Sequence, residues 1–238
     1  MLRLGLPFSA EQLRQYLEEL LRRNALPEAL LRLHVTRGAG PRGYSTRNAK
    51  CPTVVMSLHP APPSDPAHPP RWRLATANVR LPLNDPLAEV KTCNKLPYIL
   101  ARAEAEAAGA DAALLLNAAG EAAEADSANL FWIEQDKVFT PPLSSGALPG
   151  VTRRTVMKLC AAMGVSVAEK RTRVEILRAA GGVFLTLSTL GVVEVTDLDW
   201  QPVGRSPLTA RLRDEYGRLL TAETTGAPAT PRPPGPAF

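Results

Sequence analysis

Lys91-Thr92-Cys93-Asn94-Lys95-Leu96 is the stretch from which the fold of this chain is read. It follows a loop punctuated by Pro82, Asn84 and Pro86. It precedes a segment in which Pro97 opens a helix that Ile99, Leu100 and an alanine-rich run carry to Ala108, before Gly109 ends it. A lysine so placed is either a solvated loop residue or an amine whose neutral form attacks a carbonyl and then moves a proton. The second role needs partial burial or a neighbouring cation. What stands on either side of Lys91 bears on the choice.

Upstream, Ser9 to Asn24 has the pattern of an amphipathic helix, with Ser9 and Gln12 spaced as a capping box and Leu13, Leu17, Leu20 and Leu21 on one face. Leu30 to Thr36 alternates as a strand. Arg37-Gly38-Ala39-Gly40-Pro41-Arg42-Gly43-Tyr44-Ser45 then forms a loop. It is either a hairpin turn with exposed arginines or a place where the backbone approaches a ligand and the guanidiniums grip carboxylates. It lacks the Gly-Lys-Ser/Thr ending of a P-loop. Strands are expected at Pro52 to Leu58 and Arg71 to Leu81, separated by a proline-rich loop over 59–70.

Downstream, a run of strands is expected at Ala112 to Asn117, Glu121 to Ala125, Asn129 to Glu134 and Lys137 to Thr140. Glu124 falls among alanines in this apolar run, as an edge residue or as the partner of a buried cation. Pro149-Gly150-Val151-Thr152-Arg153 opens a helix running to Met163, whose start is either an ordinary capped terminus or an anion cradle. A strand over Ser166 to Arg171, a short helix over Val174 to Ala180 and a strand over Gly182 to Leu187 follow. The last delivers two hydroxyls, Ser188 and Thr189, into a turn. Val192 to Val195 is a strand and Pro207 to Leu220 a helix, and the Thr-, Ala- and Pro-rich 221–238 suits a flexible tail.

The 238 residues are 45% hydrophobic and 21% charged, enough for a sizeable core in two unequal lobes. The lobes are expected at 1–86 and 87–220. No apolar run is long enough to cross a bilayer, so no membrane partner is expected. Met1-Leu2-Arg3-Leu4-Gly5 is not a secretory leader, which points to the cytoplasm. Three scattered cysteines, Cys51, Cys93 and Cys160, suit reduced thiols. The net charge of +5 is spread over 28 basic and 23 acidic residues without a basic stripe, so nucleic acid is not expected as a partner. His34, His59 and His68 share no metal-ligand spacing, and no metal site is expected.

Taken in order, the arginine-glycine loop, the lysine, the glutamate in a strand, the helix start and the hydroxyl pair resemble the class IV aminotransferase family of pyridoxal-phosphate enzymes. The likeness extends from the first helix to Val195. It is carried by Arg37 to Ser45, Lys91 to Leu96, Glu124-Ala125-Asp126-Ser127-Ala128-Asn129-Leu130-Phe131-Trp132 and Leu148-Pro149-Gly150-Val151-Thr152-Arg153. The resemblance implies an α+β, two-lobed fold like that of D-amino-acid aminotransferases. The chain opens in the helix-bearing region, so the small N-terminal lobe is expected to be truncated, without the segment whose arginine contacts the cofactor phosphate in the family.

By the same resemblance, Lys91 carries pyridoxal 5′-phosphate and serves as the proton-transfer base. Glu124 pairs with the ring nitrogen, and the N–H groups of Val151 and Thr152 hold the phosphate with Ser188 and Thr189. Arg37, Arg42 and Tyr44 are the candidates for substrate carboxylates. The Arg-Gly-Tyr-Ser, Asn-Lys-Leu and Ala-Asn-Leu-Phe-Trp segments lean toward the 4-amino-4-deoxychorismate lyases of the family. D-amino-acid or branched-chain aminotransferases and a non-catalytic homologue are the alternatives. The resemblance also implies a homodimer acting on a small molecule.

Overall fold

The computed structural model describes residues 2, 4–26, 28–62, 65 and 67–225. The chain divides into two compact units, Met1–Ser64 and Asp65–Phe238.

In the smaller unit the helix α1, Ala10–Asn24, starts at the expected box. The Ser9 hydroxyl accepts from the Gln12 N–H at 3.2 Å, and the Gln12 side chain accepts from the Ser9 N–H at 2.9 Å. Strands β1, Ala29–Thr36, and β2, Thr53–Pro60, pair antiparallel, with Thr36 opposite Thr53. The Arg-Gly loop joins them. Gly38 is obligatory there, because at φ +88° a Cβ would fall 1.8 Å from the carbonyl oxygen of Cys51.

The larger unit is built on β3 (Arg71–Leu81), α2 (Leu96–Ala107), β4 (Ala112–Asn117), β5 (Ala122–Ala125), β6 (Asn129–Glu134), β7 (Lys137–Thr140) and α3 (Val151–Ala162). It continues with β8 (Val167–Glu169), α4 (Val174–Arg178), β9 (Gly182–Leu187), β10 (Gly191–Leu198), β11 (Gln201–Pro202) and α5 (Pro207–Thr225). Its nine strands run β11-β10-β3-β4-β5-β6-β7-β8, and β9 pairs with both β10 and β6. The strands β10, β3, β4, β5, β6 and β9 therefore form a closed ring of hydrogen bonds, which leaves these six without a free edge.

Alternation along the strands assigns the cores. Leu130 and Trp132 of β6 join Leu74, Leu114, Leu185, Val193 and Val195. Their neighbours Phe131 and Ile133 take the opposite face, where Phe131 stacks on Phe184 at 4.9 Å under Val156 and Cys160 of α3 and Leu208 and Leu212 of α5. A third core is nearly all alanine: Ala101 and Ala105 of α2 lie on Ala75, Ala77, Ala113 and Ala123, with Tyr98 at its border. Methyl-sized side chains on both surfaces let α2 approach the sheet closely, which brings its first turn to the end of β5.

Two expectations are corrected. The division of the chain falls between residues 64 and 65 rather than at 86, because β3 is an inner strand of the large sheet, parallel to both β4 and β10. The expected tail is helical at its start. α5 continues to Thr225, with the Thr221 and Thr224 hydroxyls donating to the carbonyls of Gly217 and Leu220 at 3.0 and 2.9 Å. The rest of 221–238 lies outside the described residues. No helix among the described residues is long and apolar enough to cross a membrane.

Candidate active site

Behind β3 the chain makes a short 3-10 turn, Pro86–Glu89, capped by Asp85, whose carboxylate accepts from the Leu87 N–H at 2.8 Å. The Thr92 N–H then closes on the Val90 carbonyl at 2.8 Å, which puts Lys91 at the corner of a three-residue turn. A second such turn, Lys95 N–H to Cys93 carbonyl at 2.9 Å, leads into α2. Lys91 is exposed, and it lines a cavity of about 600 Å³ in the larger unit together with Lys95, Tyr98, Glu124, Asn129 and Thr186.

Glu124 is only 4% exposed. Its Oε2 accepts from the Leu148 N–H at 2.8 Å and from Asn129 Nδ2 at 3.3 Å, and its Oε1 accepts from the Tyr98 hydroxyl at 3.0 Å. Asn129 stands opposite Glu124 across the β5–β6 pair and also donates to the Leu148 carbonyl at 2.7 Å. Burial pushes the Glu124 carboxyl up to about 7, against the pull of the Leu148 N–H, the Tyr98 hydroxyl and the ammonium groups of Lys95 and Lys91. The Lys95 amine is held below its ordinary range first by burial and also by Lys91, while Glu124 opposes the shift. Its Nζ lies 4.0 Å from the centroid of the Tyr98 ring.

The third wall is the start of α3. Gly150 is its N-cap and provides no side-chain cap, so the first N–H groups of the helix, those of Val151 and Thr152, have no partner within the helix. Gly150 packs so tightly that a Cβ would lie 2.0 Å from Asn129 Oδ1. Opposite Asn129 in the β6–β9 pair, the Thr186 Oγ1 is buried without a hydrogen-bond partner.

Of the sequence-predicted residues, Lys91, Glu124, Val151, Thr152 and Ser188 all line this one cavity. Thr189 is exposed in the turn beyond and is not among the lining residues. Arg37, Arg42 and Tyr44 belong to the smaller unit, where Arg42 and Tyr44 are exposed and Arg37 donates to the carbonyl of Leu2. Sequence reasoning passed over Lys95, Tyr98, Asn129 and Thr186. The register Glu124 to Asn129 across a short turn was a usable signal for the asparagine. No local pattern marks the direction in which Tyr98 points.

The donor set suits pyridoxal 5′-phosphate. A covalently competent amine, a buried carboxylate, an uncapped helix start and an orphaned hydroxyl on one wall match the aldehyde, ring nitrogen and phosphate of that group.

The chain belongs to the family described as amino-transferase class IV, which matches residues 1–198. Enzymes of this family depend on pyridoxal phosphate. Among relatives, an aminodeoxychorismate lyase of Vibrio harveyi is 33% identical over 77% of this chain and 69% of its own length. A protein of Methanocaldococcus jannaschii, provisionally named a branched-chain-amino-acid aminotransferase, is 31% identical over 92% of this chain and 76% of its own. A solved structure from Legionella pneumophila, provisionally named a 4-amino-4-deoxychorismate lyase, superposes with a TM-score of 0.83 at 27% identity. The match covers 92% of this chain and 79% of that one. The relatives thus include both lyases and aminotransferases.

Proposed function

We propose that this protein is a pyridoxal-phosphate lyase that converts 4-amino-4-deoxychorismate to 4-aminobenzoate and pyruvate, acting as a cytoplasmic homodimer. The observation that carries the reading is the convergence of Lys91, Glu124 and the start of α3 on one cavity, with the second ammonium of Lys95 beside them. With Lys91 engaged by the cofactor, the Lys95 ammonium is left to attract a carboxylate of the substrate. The lyase-leaning segments around Lys91 and Glu124 and the lyase relative at 33% identity point the same way.

When bound, the cofactor supplies an electron-withdrawing ring that stabilises negative charge at the substrate's amine-bearing carbon. The remaining work falls to the chain. Lys91 would hold the cofactor and, as a free amine once the substrate amine has taken its place, would take the proton from that carbon. The electron pair of the broken C–H bond becomes a π bond of the substrate's own six-membered ring as the neighbouring C–O bond breaks, so the substrate ring becomes aromatic and enolpyruvate leaves with the C–O pair. The proton on Lys91 is delivered to the departing carbon fragment, which completes pyruvate without an oxidant or a second amino acceptor. Glu124 holds an anion against the ring nitrogen, and the Val151 and Thr152 N–H groups with Ser188 hold the phosphate. Arg37, Arg42 and Tyr44 are proposed as contacts for the substrate carboxylates.

The aminotransferase reading is the alternative, favoured by the Methanocaldococcus jannaschii relative and its broader coverage of this chain. The two separate in one assay. With 4-amino-4-deoxychorismate and no keto acid, a lyase releases 4-aminobenzoate and pyruvate in equal amounts over many turnovers. Release of neither, together with steady amino transfer between D-alanine or a branched-chain amino acid and 2-oxoglutarate, would replace the lyase reading with the aminotransferase one.

A further inference from the structure

We propose that Tyr98 is a positioning residue for Glu124: its phenol directs one carboxylate oxygen and, with Lys95 lying on its ring, holds that carboxylate ready to meet a cation in the cavity. The inference rests on the proposed function only for the identity of that cation, a protonated ring nitrogen.

Tyr98 is the third residue of α2, and its ring packs at the border of the alanine core, so the phenol is placed by the close seating of helix on sheet. A carboxylate has about four acceptor positions. Three are filled here, two on Oε2 by the Leu148 N–H and Asn129 and one on Oε1 by the Tyr98 hydroxyl. The position left for a ligand donor is on Oε1, the oxygen that the phenol orients. Lys95, three residues before Tyr98 and so on the same side of the helix, puts its ammonium over the ring. A cation there favours electron density on the phenol oxygen less and its donation more, and also attracts the Glu124 charge directly.

The other groups facing Glu124 are accounted for. Lys91 comes from the loop before α2, the Leu148 N–H from the segment leading to α3, and Asn129 from β6. Arg102 and Glu106 of α2 and Asp126 beyond β5 also line the cavity, but Arg102 pairs with Glu106 at 2.7 Å and with Asp126 at 3.3 Å. Glu89 lines it from the 3-10 turn. Burial alone disfavours the charged carboxylate, and what favours it is the Leu148 N–H first, then the phenol and the two ammoniums. Tyr98 itself is held far from ionising, first by its own burial and then by Glu124, and so remains a donor throughout the working pH range.

The test is a carbon-13 NMR titration of the full chain without cofactor, with glutamate carboxyls labelled and the Glu124 resonance identified by its absence in E124Q. Wild type should titrate at about 7. Tyr98→Phe, which keeps the ring, should move the midpoint up by about one to two pH units, as expected for losing a hydrogen bond to a charged acceptor. Lys95→Met should move it the same way by less. In wild type the Tyr98 ring carbon bearing the hydroxyl should shift with the same midpoint and lose that step in E124Q, a readout that needs no Tyr98 variant to fold. A Glu124 midpoint within about 0.3 units of wild type in folded Y98F, or a Tyr98 resonance blind to Glu124, overturns the proposal. Pyridoxal phosphate affinity, followed by fluorescence quenching, should level off about one to two pH units higher in Y98F. If the midpoints move as expected while pyridoxal phosphate binds to none of the proteins, the proposed function fails and the coupling of Tyr98 to Glu124 stands.

Discussion

Glu124 ionises near 4.5 when free of its surroundings and at about 7 in the fold. Between these values the folded protein keeps a proton that the unfolded chain has released. Stability therefore falls as pH rises from about 4.5 to about 7 and is level above, the opposite of a salt-bridged carboxylate. A difference of this size corresponds to about 3 kcal/mol at most. Glu124→Gln removes the titration while preserving shape. Denaturant unfolding of the cofactor-free protein should thus show E124Q gaining on wild type by up to about 3 kcal/mol across this window, and parallel stability curves would show that the carboxyl is not held neutral. The cost has a purpose in the proposed chemistry: a carboxylate seated this deeply is returned to its charged form by a cation in the cavity and is otherwise reluctant to hold charge. In the folded enzyme the ligand thus completes the electrostatics of the residue.

Among the elements, the start of α3 and the β5–β6 hairpin are joined through Gly150 and Asn129. Because a Cβ at residue 150 would meet Asn129 Oδ1 at 2.0 Å, Gly150→Ala must displace the side chain that donates to both Glu124 and the Leu148 carbonyl. The expected result is a loss of about 1–3 kcal/mol in stability from overpacking. Pyridoxal phosphate affinity should fall about 10- to 100-fold, since the carboxylate and the helix start are disturbed together. Isothermal titration checks it, and unchanged affinity would separate the two walls. Most of these elements were legible in the sequence. The Ser9–Gln12 box, the bounds of β3 and β4, and the hairpin from β6 to β7 follow from capping, alternation and turn residues close together in the chain. The seating of α2 on an alanine surface was not, because alanines read as helix formers and not as a contact until their partners, Ala75, Ala113 and Ala123, are known to face them.

At the scale of the whole molecule, what the sequence concealed is pairing between distant segments. Arg71–Leu81 reads as a strand of the first lobe because it follows that lobe in order. Its partners are β4, some 40 residues on, and β10, more than 100 residues on, and only those contacts make it an inner strand. The closure through β9 is likewise invisible to local pattern. The order of site residues was legible through the family resemblance, whereas their convergence is a product of this closed ring: β5 carries Glu124, Ser188 follows the end of β9, and residues at the starts of α2 and α3 line the same cavity.

Lys91 is proposed as the amine that holds the cofactor, although Lys95 lies in the same cavity with its amine held below its ordinary range. The direct measurement is incubation of the full chain with pyridoxal phosphate, reduction with borohydride and mass-spectrometric mapping of the modified lysine. The adduct should fall on Lys91, one per chain, and Lys91→Ala should abolish both the adduct and the release of 4-aminobenzoate. An adduct on Lys95, or none at all in folded protein, would contradict the account.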